Sequence, residues 1–99
     1  MHITFVKKIF ADGTPCKKCR EVSERMAKEG ILELVNHIAI ADEREPQSEG
    51  LRLARQYHVA RAPFFLVEED GEIQVFDVYF KFKEFLAQQG IEVTPIRVL

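Results

Sequence analysis

This sequence predicts an α/β fold of order β-α-β-α-β-β-α, with one four-stranded mixed sheet and helices on both faces. Three observations predict it. Short β-branched runs alternate with stretches whose apolar residues recur at helical spacing. The first handover from strand to helix carries both cysteines of the chain, in Cys16-Lys17-Lys18-Cys19. The turn pair Asp70-Gly71 then separates two apolar runs, as it would in a hairpin.

Ile3 to Phe10 is apolar and β-branched, broken only by Lys7-Lys8, and reads as the first strand. Ala11 to Pro15 is a loop, with turn chemistry at Asp12-Gly13, a cap at Thr14 and Pro15 suited to a first helical position. From Cys16 the spacing turns helical, with Cys19, Val22, Met26 and Ala27 on one stripe and Gly30 as its stop. Ile31 to Val35 fits a further helical turn, and Asn36 to Ala41 a second strand around Ile38 and Ile40. After the charged loop Asp42 to Gln47, Ser48 to Tyr57 is a helix with Leu51, Ala54 and Tyr57 on one side.

Val59-Ala60-Arg61-Ala62-Pro63 leads directly into a strand, Phe64 to Glu68, whose hairpin partner is Ile73 to Phe80. Lys81 to Gln89 is the third helix, with Phe82, Phe85 and Leu86 as its stripe and Gly90 beyond. The tail Ile91 to Leu99 is half apolar and interrupted by Pro95; it suits packing on the domain, an added edge strand or docking on a partner. Strands one and two should run parallel through a right-handed crossover, and the last two antiparallel. One sheet with helices on both faces buries all these stripes, so residues 1–99 are expected to form a single domain with its core over 3–89.

Composition narrows the function. A net charge of −2 over 99 residues, without a lysine/arginine block, argues against nucleic acid. No stretch approaches the roughly 20 apolar residues of a membrane helix, and the first ten residues lack a leader pattern. Two cysteines are too few for a secreted disulfide scaffold, so a reducing cytoplasm with a cycling pair is the expectation.

A Cys-x-x-Cys beside a βαβ pattern reads first as a redox motif. One helical turn brings both sulfurs to one face, which suits a thiol that attacks and a second that resolves. Cys16, at the exposed helix N-terminus, would meet unpaired N–H groups and the positive end of the dipole, which favour a thiolate. Lys17, Lys18 and Arg20 put three cations in the same turn, the wrong sign for a helix start unless an anion is present. A thiolate on Cys16 resolves that conflict and makes the three cations its tuners. Cys19, a turn deeper, is the resolving thiol. His2, His37 and His58 share no ligand spacing, and a closed zinc site needs two such pairs, so neither a metal nor another cofactor is expected.

The element order, with the cysteine pair after the first strand and Ala62-Pro63 before the third, resembles the thioredoxin-like superfamily, close in size to glutaredoxins and small thioredoxins. Tyr57 to Leu66 resembles the segment that enters that family's cis-proline. The resemblance implies a cis bond at Ala62-Pro63 and a substrate groove formed by Ala62, Pro63 and Phe64, whose backbone would pair with an extended segment. The chain departs from the family in three places. Lys17-Lys18 replaces the Gly-Pro or Pro-Tyr filler, Phe10 stands where thioredoxins place a buried carboxylate, and Asp77-Val78-Tyr79 replaces the glycines after the hairpin.

The reading that results is a thiol-disulfide oxidoreductase acting through Cys16 and Cys19 on a disulfide-bearing protein or small thiol substrate and regenerated by a reductase. Two other classes are a protein-binding or redox-sensing module without turnover, and soft-metal handling on the two thiolates.

Overall fold

The computed structural model describes residues 1–91. Its elements are β1 (His2–Ile9), α1 (Lys17–Lys28), a 3-10 turn (Leu32–Leu34), β2 (His37–Asp42), α2 (Glu49–Gln56), β3 (Phe64–Glu69), β4 (Glu72–Phe76) and α3 (Tyr79–Gln88). The sheet order is β2-β1-β3-β4, with β1 parallel to β2 and antiparallel to β3, and β3 antiparallel to β4. Asp70 and Gly71 both have positive φ, 53° and 80°, as a two-residue I′ hairpin requires.

Alternation along the strands sorts the core into two layers. Ile3, Phe5, Phe65 and Val67 face α1 and α3, where they meet Val22, Met26, Phe82 and Leu86. Val6, Ala39, Ala41, Phe64 and Leu66 face the opposite way, under Leu51, Leu53 and Ala54 of α2. Phe65 sits between Phe5 and Phe82, near-parallel to both, at centroid separations of 5.1 and 4.2 Å. This stack fixes α3 over the middle of the sheet.

Three expectations about boundaries are corrected. Helix α1 starts two residues later than the Thr14 cap and Pro15 opening predict: Cys16 is its N-cap, Lys17 its first residue, and Pro15 bridges back to Ile9 instead of opening the helix. Ala27 is exposed, so the inward stripe is Cys19, Val22 and Met26. Strand β4 ends at Phe76, not Phe80. Pairing of β3 with β4 stops at Phe65–Phe76, because two residues further back lies Pro63, which has no N–H to extend a ladder. Released from the sheet, the chain turns at Asp77-Val78 and starts α3 at Tyr79, leaving Phe80 70% exposed. The tail expectation lies outside the described residues except at Ile91, which packs on the first core layer and donates to the Leu86 carbonyl at 3.1 Å.

Candidate functional site

Both cysteines are free thiols at the start of α1. The backbone of Cys16 is extended (φ −66°, ψ 120°), its N–H donates to the Lys8 carbonyl at 3.1 Å, and its Sγ accepts the Cys19 N–H at 3.2 Å. A sulfur therefore does what a serine or aspartate oxygen usually does at a helix start. Cys16 was expected to be exposed; it is 6% exposed, because the Pro15–Ile9 bridge draws the cap back onto β1. Cys19 is 1% exposed.

Burial, reinforced by the hydrogen bond to Cys16, pushes the Cys19 thiol up to about 12. The Lys8 backbone bond and the charge of Lys7 pull the other way and are outweighed. Since the thiolate is the reactive form, iodoacetamide at neutral pH should alkylate Cys16 first, with Cys19 following only as pH approaches 12. Peptide mapping by mass spectrometry reads the order; equal rates at the two positions would show that the helix does not distinguish them.

Helix α1 carries a different concavity on each flank. On the flank toward β3 and α3, an open groove is walled by Lys18, Val22, Arg61, Pro63, Val78 and Tyr79. On the flank toward β2, a cavity of about 320 Å³ is lined by both cysteines with Lys7, Ile9, Arg20 and Ile40. At 3.6 residues per turn, Lys18 points away from Cys16 and Ser23, with Cys19 and Val22 on the buried stripe between the two flanks. The sequence-stated site residues are therefore divided. Lys18 stands beside Pro63, Arg20 stands beside the thiols, and Lys17 is exposed on the first turn. The Ala62–Pro63 bond is cis, and Ala62 lies outside the ladder that begins at Phe64. Phe64 is corrected from groove to core: it is 1% exposed and packs with Val6, Ala39 and Ala41 beneath α2.

The far end of the groove is braced by a cluster that sequence reasoning missed. Tyr79 donates to Glu29 Oε1 at 2.6 Å and Lys83 Nζ donates to Oε2 at 2.8 Å, while Arg25 and Lys83 lie over the Tyr79 ring at 5.3 and 5.7 Å. Burial raises the Glu29 carboxyl, but the hydrogen bonds from Lys83 and Tyr79 and the charges of Lys83 and Arg25 outweigh it, and the net shift is downward. A carboxyl held low stabilises the fold fully above its ordinary 4.5, and that contribution is lost as pH falls through its lower folded value. Denaturant melts should therefore show Glu29→Gln least stable relative to the parent at pH 6, with the gap closing in strong acid. A gap independent of pH would remove the charge from the account. No spacing signal marks Glu29 with Tyr79, since 50 residues separate them. Lys7 was legible: it shares strand parity with Ile3 and Phe5, the face that α1 covers.

Among the described residues, no group of three His, Cys, Asp or Glu side chains forms a metal-binding cluster. No helix of the described residues is long and apolar enough to cross a membrane.

No protein-family model and no curated protein matches the chain. Solved structures similar to it include two thioredoxins. A thioredoxin from Thermus thermophilus superposes with a TM-score of 0.50 at 24% identity, over 91% of this chain and 75% of that one. A thioredoxin from Fasciola hepatica gives 0.52 at 21% identity, over 88% and 80%. The fold is thioredoxin-like.

Proposed function

We propose that the chain is a thiol-disulfide oxidoreductase using Cys16 as the attacking and Cys19 as the resolving thiol. The observation that carries this reading is the sulfur cap: two free cysteines one turn apart, with Cys16 Sγ held at the helix start by the Cys19 N–H. The thiolate of Cys16 attacks one sulfur of a substrate disulfide, forming a mixed disulfide and expelling the other sulfur as a thiolate. Cys19 then attacks Cys16 Sγ as its proton passes to the departing substrate sulfur, the second substrate thiol leaves, and a Cys16–Cys19 disulfide remains. Two electrons pass from the protein dithiol to the substrate, and a reductase or free thiol restores them.

Cys19 is shielded and protonated at neutral pH, which keeps it from competing as the first nucleophile. Of the three cations of the first turn, Arg20 shares the cavity wall with both thiols. A polypeptide substrate would lie along the groove at Pro63, beside Ala62, and pass its disulfide over the start of α1 to reach Cys16.

The test is acceleration of dithiothreitol-driven insulin reduction, followed by recovery of the protein with Cys16 and Cys19 joined after one oxidising turnover. Acceleration together with that bridge is the expected result. A protein that leaves the insulin rate unchanged and stays dithiol when offered disulfide is not an oxidoreductase.

A further inference from the structure

Both thiols open toward the β2 flank of α1, and the cavity there has a composition of its own. Its volume of about 320 Å³ lies at the lower end of the range that holds small organic ligands, about 300–1,000 Å³. The strand order leaves β2 at an edge, so nothing from the sheet closes this side. The register sets Ile40 beside Lys7, and with Ile9 and Pro15 they form a mostly apolar floor under the first turns of α1.

Charge on the walls is unbalanced. Lys7, Lys8 and Arg20 face one carboxylate, Glu24. Lys8 is taken up by Glu43 at 3.4 Å, whereas Lys7 and Arg20 have no ion pair among the described residues. A separate observation points the same way. Ser23, also in the cavity wall, has a buried Oγ with no hydrogen-bond partner among the described residues. Buried hydroxyls are nearly always paired, so a χ1 rotation that turned this one toward the cavity would give it an acceptor on a ligand.

We propose that this cavity admits small anionic disulfides to the Cys16–Cys19 pair, separately from the Pro63 groove. An aliphatic disulfide carrying carboxylates lies on the Ile9, Pro15 and Ile40 floor, with its charge toward Lys7 and Arg20 and a carboxylate oxygen accepting from Ser23. The inference rests on the dithiol reading above. The step balances as one disulfide plus the protein dithiol giving two small thiols plus the Cys16–Cys19 disulfide.

The experiment uses three aliphatic disulfides of similar size: dithiodipropionate (anionic), hydroxyethyl disulfide (neutral) and cystamine (cationic). Each rate of oxidation of the reduced protein is divided by the rate of the same disulfide with dithiothreitol, which cancels intrinsic reactivity. The expected order is anionic, neutral, cationic, with about fivefold or more between the extremes at low salt and less at high salt. Lys7→Met and Arg20→Ala should each lower that ratio, while Lys28→Met, the same charge change at the far end of α1, should leave it as it is. Arg20 is exposed, so its variant reads the site even if Lys7→Met folds poorly. Rates independent of charge, or fastest with cystamine, overturn the cavity assignment and leave the oxidoreductase reading standing. Failure of all three disulfides to oxidise the pair overturns both.

Discussion

Cys16→Ser is expected to reduce insulin-reducing activity to the dithiothreitol background, whereas Cys19→Ser should leave a covalent adduct with the substrate on Cys16. The asymmetry follows from the helix start. Cys16 Sγ is the cap atom at the mouth of the cavity, and Cys19 is a turn deeper and 1% exposed. Without Cys19 the mixed disulfide has no internal thiol to resolve it and outlives the reaction. Non-reducing electrophoresis of Cys19→Ser after exposure to reducible cellular proteins reads the adduct, and mass spectrometry names the partner. An adduct on Cys19 in Cys16→Ser, with none in Cys19→Ser, would reverse the two roles.

Gly50→Ala should be the most damaging single methyl in the described chain. A Cβ at position 50 would stand 2.3 Å from the Ala41 nitrogen, 2.5 Å from the Ile40 carbonyl carbon and 2.6 Å from the Ala41 Cα. All three are backbone atoms of β2 and cannot swing aside. Helix propensity favours alanine over glycine by about 1 kcal/mol, so two effects compete. Overpacking against a backbone typically costs about 1–3 kcal/mol and here sits at the upper end, which decides the sign. Thermal denaturation should show a fall of roughly 10 °C or more. A Tm unchanged or raised would mean that α2 does not approach β2 this closely. Since β2 also carries Ile40, the loss should reach the cavity beside the thiols.

These two positions show where the sequence was readable. The cysteine pair, the Asp70-Gly71 hairpin and the Phe82, Phe85, Leu86 stripe follow from local spacing, and the element order follows from them. Gly50 was silent because the apolar stripe of α2 drew attention to Leu51 and Ala54, while the closest approach was made by the residue without a side chain. Phe64 misled for a related reason: adjacency to Pro63 in the chain says nothing about which sheet face the ring takes, and strand parity sends it under α2. The early end of β4 depends on what lies opposite it, which a single strand does not record. The division of the site residues between two flanks needed the helix phase of α1 and the edge position of β2 together.

The sulfur cap also couples two properties usually measured apart. The reduced Cys16 sulfur accepts the Cys19 N–H and so helps to begin α1. Closing the disulfide converts that acceptor into a weaker one, so oxidation draws on the same free energy that holds the helix start. In the thermodynamic cycle linking folding and oxidation, each about 1.4 kcal/mol by which the dithiol form is the more stable raises the reduction potential by about 30 mV. Denaturant unfolding of the two redox forms and an equilibrium titration against a dithiol buffer must then agree on one number, and a potential that ignores the stability gap would uncouple the cap from the chemistry. A helix terminus, on this view, is also an electrochemical component.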